Sequence, residues 1–399
     1  MATIPSIAMI PSGYKTNKVY SVLPTDGGGD LDFARTSTAT RITSSGLIEE
    51  VGIGKPRLDY SDGGCPNLLI EPSSTNNLVQ SNQFDTTWVI GADALDLTSG
   101  QSGAYGSNDA WLLKKNSSGS RYIEQSLSLS SSQYSYSVYL KPESTDWVFL
   151  EASDGTNLVN SYFDLKNGVV GTTSGTNLDS ATMYNAGNGW YRCTLTYTQA
   201  TSYVRIFPAN ANESIGPTAD NGIFIQYSQV EGQSSATSYI PTTGTAISRT
   251  SDTASKSGIS SLINSSEGVL FVNASALVNG MDGRITISDG TLNNRVSIEW
   301  DATANTIKGF MANNGEVSST LFNQTDNLKI ALSYKENDFK LYINGFLADS
   351  DSSANVPSAM NKLYFSNYNN ANPFYGKVKD LRVYSAILTD AELRTLTTI

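Results

Sequence analysis

The sequence predicts an all-β protein in which two antiparallel β-sandwiches follow an irregular, β-rich N-terminal segment. Three observations predict this fold. Apolar and polar residues alternate at period two along much of the chain, as they do in half-buried strands. Turn-forming residues separate the alternating runs, and a helical pattern occurs only at the very end. Aromatic residues, which favour strands, make up 10% of the chain and include 21 Tyr.

Residues 1–80 lack long alternating runs. Three consecutive glycines at 27–29 and scattered prolines interrupt this segment. Ser44-Ser45-Gly46 lies between two short alternating runs and predicts a hairpin turn. Because so open a segment buries few of its own apolar residues, we expect it to need a partner protein or copies of itself.

Residues 81–250 show the clearest alternation and predict the first sandwich, a jelly roll. In the run YSYSVYL, one face carries the residues Tyr134, Tyr136, Val138 and Leu140. In WYRCTLTY, the same alternation places Cys193 in a core. The other cysteine, Cys65, is also predicted to be a small buried residue, and two distant cysteines make no disulfide framework. Residues 251–265 are rich in Ser and Thr and predict a linker.

Residues 266–399 predict the second sandwich. Strand-like runs resume there, and Asn344-Gly345 between two of them is a strong signal for a hairpin. The chain closes on a predicted helix, because Thr389 and Glu392 have the spacing of a capping box ahead of DAELRTL.

The composition excludes several classes of function. The chain has 26 Lys and Arg against 37 Asp and Glu, a net charge of -11, which disfavours binding to nucleic acid. It has no His, so a Ser-His-Asp triad, a Cys-His pair and an HExxH zinc site are all excluded. The sequence also predicts no membrane insertion and no signal peptide, because apolar runs are short and the start lacks a basic region.

Glycoside hydrolysis needs only two carboxylates, so the absence of His does not exclude it. Glu299 and Asp301 alternate around Trp300 and share a strand face, but position 304 is Ala, so the E-x-D-x-x-E pattern of concanavalin-like glycosidases is incomplete. A solvated strand end explains these acids equally well. We therefore predict that the protein is not an enzyme.

Sugar binding needs an aromatic platform beside hydrogen-bonding side chains. The predicted ligand-binding residues are Trp88, Trp111, Trp147, Asn367, Tyr368, Asn372 and Phe374. The alternative for each tryptophan, Trp190 included, is a place in the core. For the segment 364–376, the alternative is that Phe374 begins a buried strand while the asparagines form turns.

Calcium is a possible cofactor, since oxygen ligands are abundant in the sequence, but its ligands cannot be placed. No D-x-[DN]-x-[DN]-G loop is present, and Asp282-Gly283 and Asp289-Gly290 are better explained as turns. No other cofactor is expected.

Two groups of motifs resemble known families. LYING (341–345) and FYGKVKDLRVYSAILTDAEL (374–393) resemble concanavalin A-like, laminin-G-type lectin domains. FARTSTATRI (33–42), NLLIEPSSTNNLVQSNQF (67–84) and NGWYRCTLTYT (188–198) resemble segments of bacteriophage structural and tail-associated proteins that flank a carbohydrate-binding-module-like jelly roll. The resemblance implies a virion protein with an N-terminal attachment segment followed by two lectin-like sandwiches.

These observations lead to one principal hypothesis of function. We expect a fibre, spike or head-decoration protein, exposed on the virion, that adheres to host cell-surface polysaccharide. Because single glycan sites bind weakly, we also expect a homotrimer assembled, together with other virion proteins, through residues 1–80. A purely structural decoration protein and a polysaccharide depolymerase are the alternatives.

Overall fold

The computed structural model describes residues 3–91, 95–116, 121–215, 219–312 and 315–399. It is built almost entirely of antiparallel strands, which confirms the predicted fold class. The strands in chain order are β1 (Ile7–Met9), β2 (Tyr14–Lys15), β3 (Lys18–Val19), β4 (Leu31–Ala34), β5 (Ala39–Ile42), β6 (Ile48–Val51), β7 (Arg57–Asp59), β8 (Asn67–Ile70), β9 (Ser74–Asn76), β10 (Val89–Ile90), β11 (Leu95–Gln101), β12 (Ala110–Lys115), β13 (Ile123–Pro142), β14 (Trp147–Ser153), β15 (Leu158–Asp164), β16 (Val169–Ser174), β17 (Leu178–Gly187), β18 (Trp190–Ala209), β19 (Gly222–Glu231), β20 (Ile247–Arg249), β21 (Thr253–Ser257), β22 (Glu267–Ala276), β23 (Gly283–Ser288), β24 (Arg295–Trp300), β25 (Ile307–Met311), β26 (Gly315–Ser319), β27 (Leu328–Lys335), β28 (Phe339–Ile343), β29 (Phe346–Asp351), β30 (Lys362–Tyr364) and β31 (Gly376–Tyr384). The helix α1 spans Asp390–Thr397.

The chain forms two compact units. Unit 1 comprises Met1–Ser44, Val51–Pro72 and Thr250–Ile399, and unit 2 comprises Ser45–Glu50 and Ser73–Arg249. The polypeptide therefore leaves unit 1 after Pro72 and returns to it at Thr250.

Unit 1 is a sandwich of two antiparallel sheets. One sheet has the order β29-β28-β27-β22-β31-β8-β7, with β1 paired to β31, and we call it the eight-stranded sheet. The other, the nine-stranded sheet, has the order β2-β3-β4-β21-β30-β23-β24-β25-β26. Alternation along each strand turns one set of side chains into a shared core, as β24 shows with Val296, Ile298 and Trp300. The other set lies on the outer face.

Unit 1 takes up strands that the sequence assigns elsewhere. Strands β1 and β8, from the N-terminal segment, pair with β31, and β4 pairs with β21. The structure thus differs from the predicted division at 1–80, because these residues complete the sheets of the second sandwich. The predicted linker 251–265 is wrong, since it contains β21, a strand within the nine-stranded sheet.

Four buried ionic side chains tie the N-terminal strands to unit 1. The Asp252 carboxylate accepts a hydrogen bond from Arg35 Nη1 at 3.0 Å and another from Arg57, while Arg57 also pairs with Glu71 at 2.5 Å. The backbone of Asp252 donates to the carbonyl of Glu71 at 3.0 Å. Two guanidinium groups thus balance two carboxylates in a site closed to solvent, which meets the condition under which buried charges are tolerated.

Unit 2 is a jelly-roll-like sandwich organised by two strands of 20 residues each, β13 and β18. They pair with each other over most of their length. On the far side of β13, the sheet continues through β19 and β12 to β11, and on the far side of β18 it continues through β14 and β15 to β16. Strand β17 also pairs with β18. The residues Tyr134, Tyr136, Val138 and Leu140 lie in its core as predicted. Cys193 is also buried there, which raises the pKa of its thiol well above the usual value. Cys65 of unit 1, in contrast, is exposed, so its predicted burial is wrong.

Two local predictions for unit 1 are confirmed. Asn344 and Gly345 connect β28 to β29 with φ angles of 50° and 87°, the left-handed conformation that a tight hairpin requires. Thr389 and Glu392 form the capping box of α1. Among the described residues, no helix is long and apolar enough to cross a membrane.

Candidate functional site

The candidate site lies on the outer side of the nine-stranded sheet in unit 1, where charged, hydroxyl and aromatic side chains are grouped. Cross-strand partners share a face and lie about 5 Å apart, so the register defines two rows of side chains. One row contains Glu316, Phe310, Ser297, Thr286 and Tyr364. The second contains Lys308, Glu299 and Arg284. We call these residues, with Arg295, the polar face.

Two arginines surround one carboxylate at the centre of the polar face. Arg284 Nε lies 3.2 Å from Glu299 Oε2, and Arg295 Nη2 lies 3.8 Å from Glu299 Oε1. Ser297 Oγ donates to Glu299 Oε1 at 2.8 Å. Arg284 Nη2 also lies 3.6 Å from Asp282, so two guanidinium groups face two carboxylates here.

Arg295 is the most unusual residue of this centre, because it is only 5% exposed. Its burial lowers the pKa of the guanidinium, and the nearby Glu299 opposes that shift. Within the described chain, Arg295 Nε and Nη1 have no hydrogen-bond partner, and neither has Thr286 Oγ1. Buried donors are nearly always paired, so these unpaired donors show that hydrogen bonding is incomplete at the centre of the polar face. Thr286 is fully buried, so only the edge of Arg295 borders the solvent.

Aromatic rings accompany these polar groups. The guanidinium of Arg295 lies 4.7 Å from the ring centroid of Phe310, and the phenol of Tyr368 is near enough to contribute to the pKa of Arg295. Phe310, Tyr364 and Tyr368 are all partly exposed. Aromatic surface beside hydrogen-bonding groups suits a sugar ring, which has an apolar face and a rim of hydroxyl groups.

The second acid of the possible glycosidase pair is engaged elsewhere. Asp301 lies 3.0 Å from Lys308 Nζ, which is in turn 3.7 Å from Glu316. Burial alone would raise the pKa of Asp301, but hydrogen bonds from Thr303 and Lys308 hold it below its usual value. Asp301 therefore lacks the raised pKa of a general acid. The predicted placement of Trp300 on the opposite, buried side of the strand is confirmed.

Several residues predicted to bind sugar are part of the cores. Trp88 and Trp111 are 4% and 6% exposed, and their indole nitrogens donate to the carbonyls of Gln80 and Asn82 at 2.9 and 2.8 Å. Phe374 is fully buried, with its ring 4.4 Å from that of Trp300. The core alternative applies to all three, because a ring without accessible surface offers no platform to a sugar. Trp190 is buried as well.

The loop around Tyr368 has mixed roles. Asn367 is buried, and its side chain accepts a hydrogen bond from the backbone of Tyr368 at 2.8 Å, so Asn367 holds the loop together instead of facing a ligand. Asn372 donates to Asp282 at 2.5 Å, which ties the loop to the start of β23. Of the residues predicted in this loop, only Tyr368 lies beside the centre of the polar face.

Trp147 is the predicted platform residue in unit 2 that keeps accessible surface. It lies at the start of β14 on the outer face, partly exposed and packed against other aromatic side chains.

The described residues contain no group of three or more Cys, Asp or Glu side chains placed to hold a metal ion. Asp289 accepts hydrogen bonds from the backbone and side chain of Thr291 and forms the predicted turn. Asp282 accepts a hydrogen bond from Asn372 and pairs with Arg284.

Reasoning from the sequence missed Arg284, Arg295 and Phe310. A signal was present, because Arg295, Ser297 and Glu299 alternate with Val296, Ile298 and Trp300 in RVSIEW. That pattern places a charged set on one side of a strand. It does not show that Arg284, from the neighbouring strand, lies opposite Glu299.

Residues 265–394 match the model of a laminin-G-type family described as the concanavalin A-like lectin/glucanases superfamily. The matched residues make up about a third of the chain. No curated protein matches the sequence.

Solved structures show distant likenesses. The CBM40 domain of Ruminococcus gnavus IT-sialidase, bound to α2,3-sialyllactose, is 17% identical, with 34% of this chain and 84% of that chain covered and a TM-score of 0.30. Domain 4 of the Geobacillus stearothermophilus arabinanase AbnA, in complex with arabinotriose, is 16% identical, with 37% and 73% covered and a TM-score of 0.31. Domains LG4-5 of the mouse laminin α1 chain are 9% identical, with 79% and 91% covered and a TM-score of 0.23. By the match to the family model, residues 265–394 are similar to a concanavalin A-like, laminin-G-type domain.

Proposed function

We propose that this protein binds glycans through the polar face of unit 1. The observation that carries the proposal is the group of partly exposed rings, Phe310, Tyr364 and Tyr368, around the Arg295 guanidinium, of which two nitrogens have no hydrogen-bond partner. Glycan hydroxyl and carboxylate oxygens are the acceptors that such donors bind, and a carboxylate binds them most strongly. The match of residues 265–394 to a family of lectins and glucanases supports the same function.

We further propose that the protein acts on the surface of a phage virion, where it adheres to host polysaccharide as a homotrimer. The support is the resemblance of residues 33–84 and 188–198 to phage structural proteins. Large apolar side chains of the N-terminal segment, such as Ile4 and Ile53, are 76% and 61% exposed and provide surface for contacts with other virion proteins or other copies.

The proposed function is binding without catalysis. Glu299 lies between two guanidinium groups and Asp301 is paired with Lys308, so neither carboxyl is arranged to donate a proton to a leaving group. A depolymerase would release reducing ends from the polysaccharide, and that release would be abolished by Glu299→Gln.

The test is binding of labelled, full-length protein to candidate host cells, with purified surface polysaccharide as competitor. We expect saturable binding that one polysaccharide removes. Arg295→Gln should weaken it at least tenfold, because a hydrogen bond to a charged group contributes about 1.5–3 kcal/mol. Arg382→Gln, which changes an arginine already paired with Asp380 on the eight-stranded sheet, is the matched control and should bind normally.

Two results would count against this proposal. If a correctly assembled protein binds no host cell, the sandwiches serve as structural decoration of the particle. If binding occurs but is equally strong in Arg295→Gln, the polar face is not where the glycan binds.

A further inference from the structure

Unit 2 carries a band of aromatic rings on the outer face of β14, β15 and β18. The ring of Phe149 is 4.6 Å from that of Tyr162 and 5.2 Å from that of Phe207, and Phe207 is 5.0 Å from Tyr122. Trp147 lies at one end of this band. We call these five residues the aromatic face. It is separate from the hydrophobic core of unit 2, which contains the alternate residues Val148 and Leu150.

The indole of Trp147 lies close to the backbone of Gly171 in β16. A Cβ atom on Gly171 would be 2.8 Å from Trp147 Cζ3, so any other residue would displace the indole. The protein has five tryptophans, and the other four are between 0% and 6% exposed. Trp147 is therefore the tryptophan whose ring a molecule in solution can reach.

Polar groups border the aromatic face at both ends. Next to Trp147 and Tyr162, Asn212 accepts from the backbone of Thr172 at 2.8 Å, and Thr172 Oγ1 donates to Glu213 at 2.8 Å. These side chains are exposed and retain further hydrogen-bonding capacity.

At the other end, Arg205 lies between the rings of Tyr122 and Tyr203, 4.2 and 4.0 Å from their centroids. Its Nε donates to Glu124 at 2.7 Å and its Nη1 to Glu151 at 2.9 Å. Phe149 and Phe207 are 6% and 4% exposed, so the accessible part of the aromatic face consists of Trp147, Tyr162 and Tyr122. These rings, with hydrogen-bonding groups around them, match the two chemical surfaces of a pyranose.

The charges of this region decide which glycans fit. Glu124, Glu151 and Glu213 provide three carboxylates, whereas Arg205, which two of them already engage, and Arg121, which precedes Tyr122, provide two guanidinium groups. Lys115, whose Nζ donates to the carbonyl of Ile215 at 3.1 Å, is buried and cannot meet a ligand. A glycan with carboxylates or sulfates would be repelled, whereas a neutral chain would not.

We infer that the aromatic face of unit 2 binds a neutral polysaccharide chain, with a sugar ring stacked on Trp147. This inference rests on the proposed function in that the protein is a glycan adhesin, but it concerns a second site with a different specificity. Two sites on one chain would raise the avidity for a surface that presents both kinds of glycan.

The experiment measures quenching of tryptophan fluorescence by acrylamide in the full-length protein. Acrylamide is neutral and reaches Trp147 far better than the four buried tryptophans. The probes are soluble neutral polysaccharides (laminarin, hydroxyethyl cellulose, galactomannan and dextran) and two acidic ones (hyaluronate and polygalacturonate). We expect saturable protection from quenching with at least one neutral polysaccharide and none with the acidic ones.

Substitutions test whether Trp147 is the residue that binds the neutral polysaccharide. In affinity electrophoresis, Trp147→Ala should weaken retardation by the same neutral polysaccharide at least tenfold, and Trp147→Phe, which keeps a ring, should restore part of it. Tyr184→Ala removes a 48% exposed ring from β17 and is the matched control that should behave as wild type. Arg295→Gln should leave this interaction unchanged.

Three results would overturn the inference: protection by no neutral polysaccharide, retardation unaltered in Trp147→Ala, or protection equally strong with the acidic chains. Self-association that disappears in Trp147→Ala would show that a second copy covers the face, which also overturns it. Because cell binding through Arg295 is measured separately, each of these results is distinct from a failure of the proposed function.

Discussion

Replacing Asp252 by alanine is expected to destabilise unit 1 severely. This carboxylate binds Arg35 and Arg57 in a site without solvent, and it also accepts a hydrogen bond from the backbone of Glu71 at 2.9 Å. With Asp252 removed, two buried guanidinium groups share one carboxylate, Glu71. Removing one partner of a buried ion pair costs about 3–5 kcal/mol, because a charge remains without compensation.

Differential scanning calorimetry measures this effect unit by unit. In a unit of about 200 residues, each kcal/mol lowers Tm by about 2–4 °C, so the transition of unit 1 should fall by about 6–20 °C. The transition of unit 2, which lacks these four residues, should stay in place. Asp252→Asn keeps an acceptor but loses the charge and should lie between wild type and Asp252→Ala.

The control is Asp289→Ala, which removes an aspartate from an exposed turn of the same unit and should cost less than about 1 kcal/mol. A shift for Asp252→Ala no larger than that of the control would refute the reasoning. So would a shift confined to the transition of unit 2.

Three further predictions follow from the fold. A thiol reagent should label one cysteine of the native protein, Cys65, and reach Cys193 only after unfolding, since burial raises the pKa of that thiol; rapid labelling of two thiols would contradict this. Thr389→Ala should cost about 1 kcal/mol and speed hydrogen exchange in the first turn of α1, whereas unchanged exchange would show that the capping box contributes nothing. A chain in which Gly-Gly replaces residues 73–249 should still fold as a β-protein by circular dichroism, because the backbone of Asp252 donates to Glu71 across the junction; a disordered product would contradict it.

Features determined by neighbouring residues were predictable from the sequence. Alternation placed Tyr136 and Cys193 in the core of unit 2, the Asn344-Gly345 pair marked a hairpin, and Thr389 marked the start of the helix. In each case the physical cause lies within a few residues: a two-residue strand repeat, a backbone with positive φ, or a cap for free N–H groups.

Features determined by distant pairing were not predictable. Nothing near Ile7–Met9 indicates that β1 pairs with β31, more than 370 residues away in sequence, or that Thr253–Ser257 lies in the middle of a sheet. A Ser- and Thr-rich run has the composition of a linker, yet strong pairing on both sides makes it a strand. Tertiary context outweighs local propensity there.

The candidate site shows the same division. The sequence favoured tryptophans as sugar platforms. Trp88 and Trp111 instead lie in the core, where backbone carbonyls accept the hydrogen bonds of their indole N–H groups. A charged residue within a strand, such as Arg295, is ordinarily solvated, and only the packing of the sheet shows that it is buried with unpaired donors.

The central claim is that a glycan binds Arg295 on the polar face, and the Nε–H signals of the arginine side chains test it most directly by nuclear magnetic resonance. The Arg295 signal is assigned as the one missing from Arg295→Gln, and the host polysaccharide that competes for cell binding is then titrated into the wild-type protein. We predict a saturable shift of the Arg295 signal with no change at Arg382. A titration that saturates cell binding while the Arg295 signal stays in place would contradict the claim.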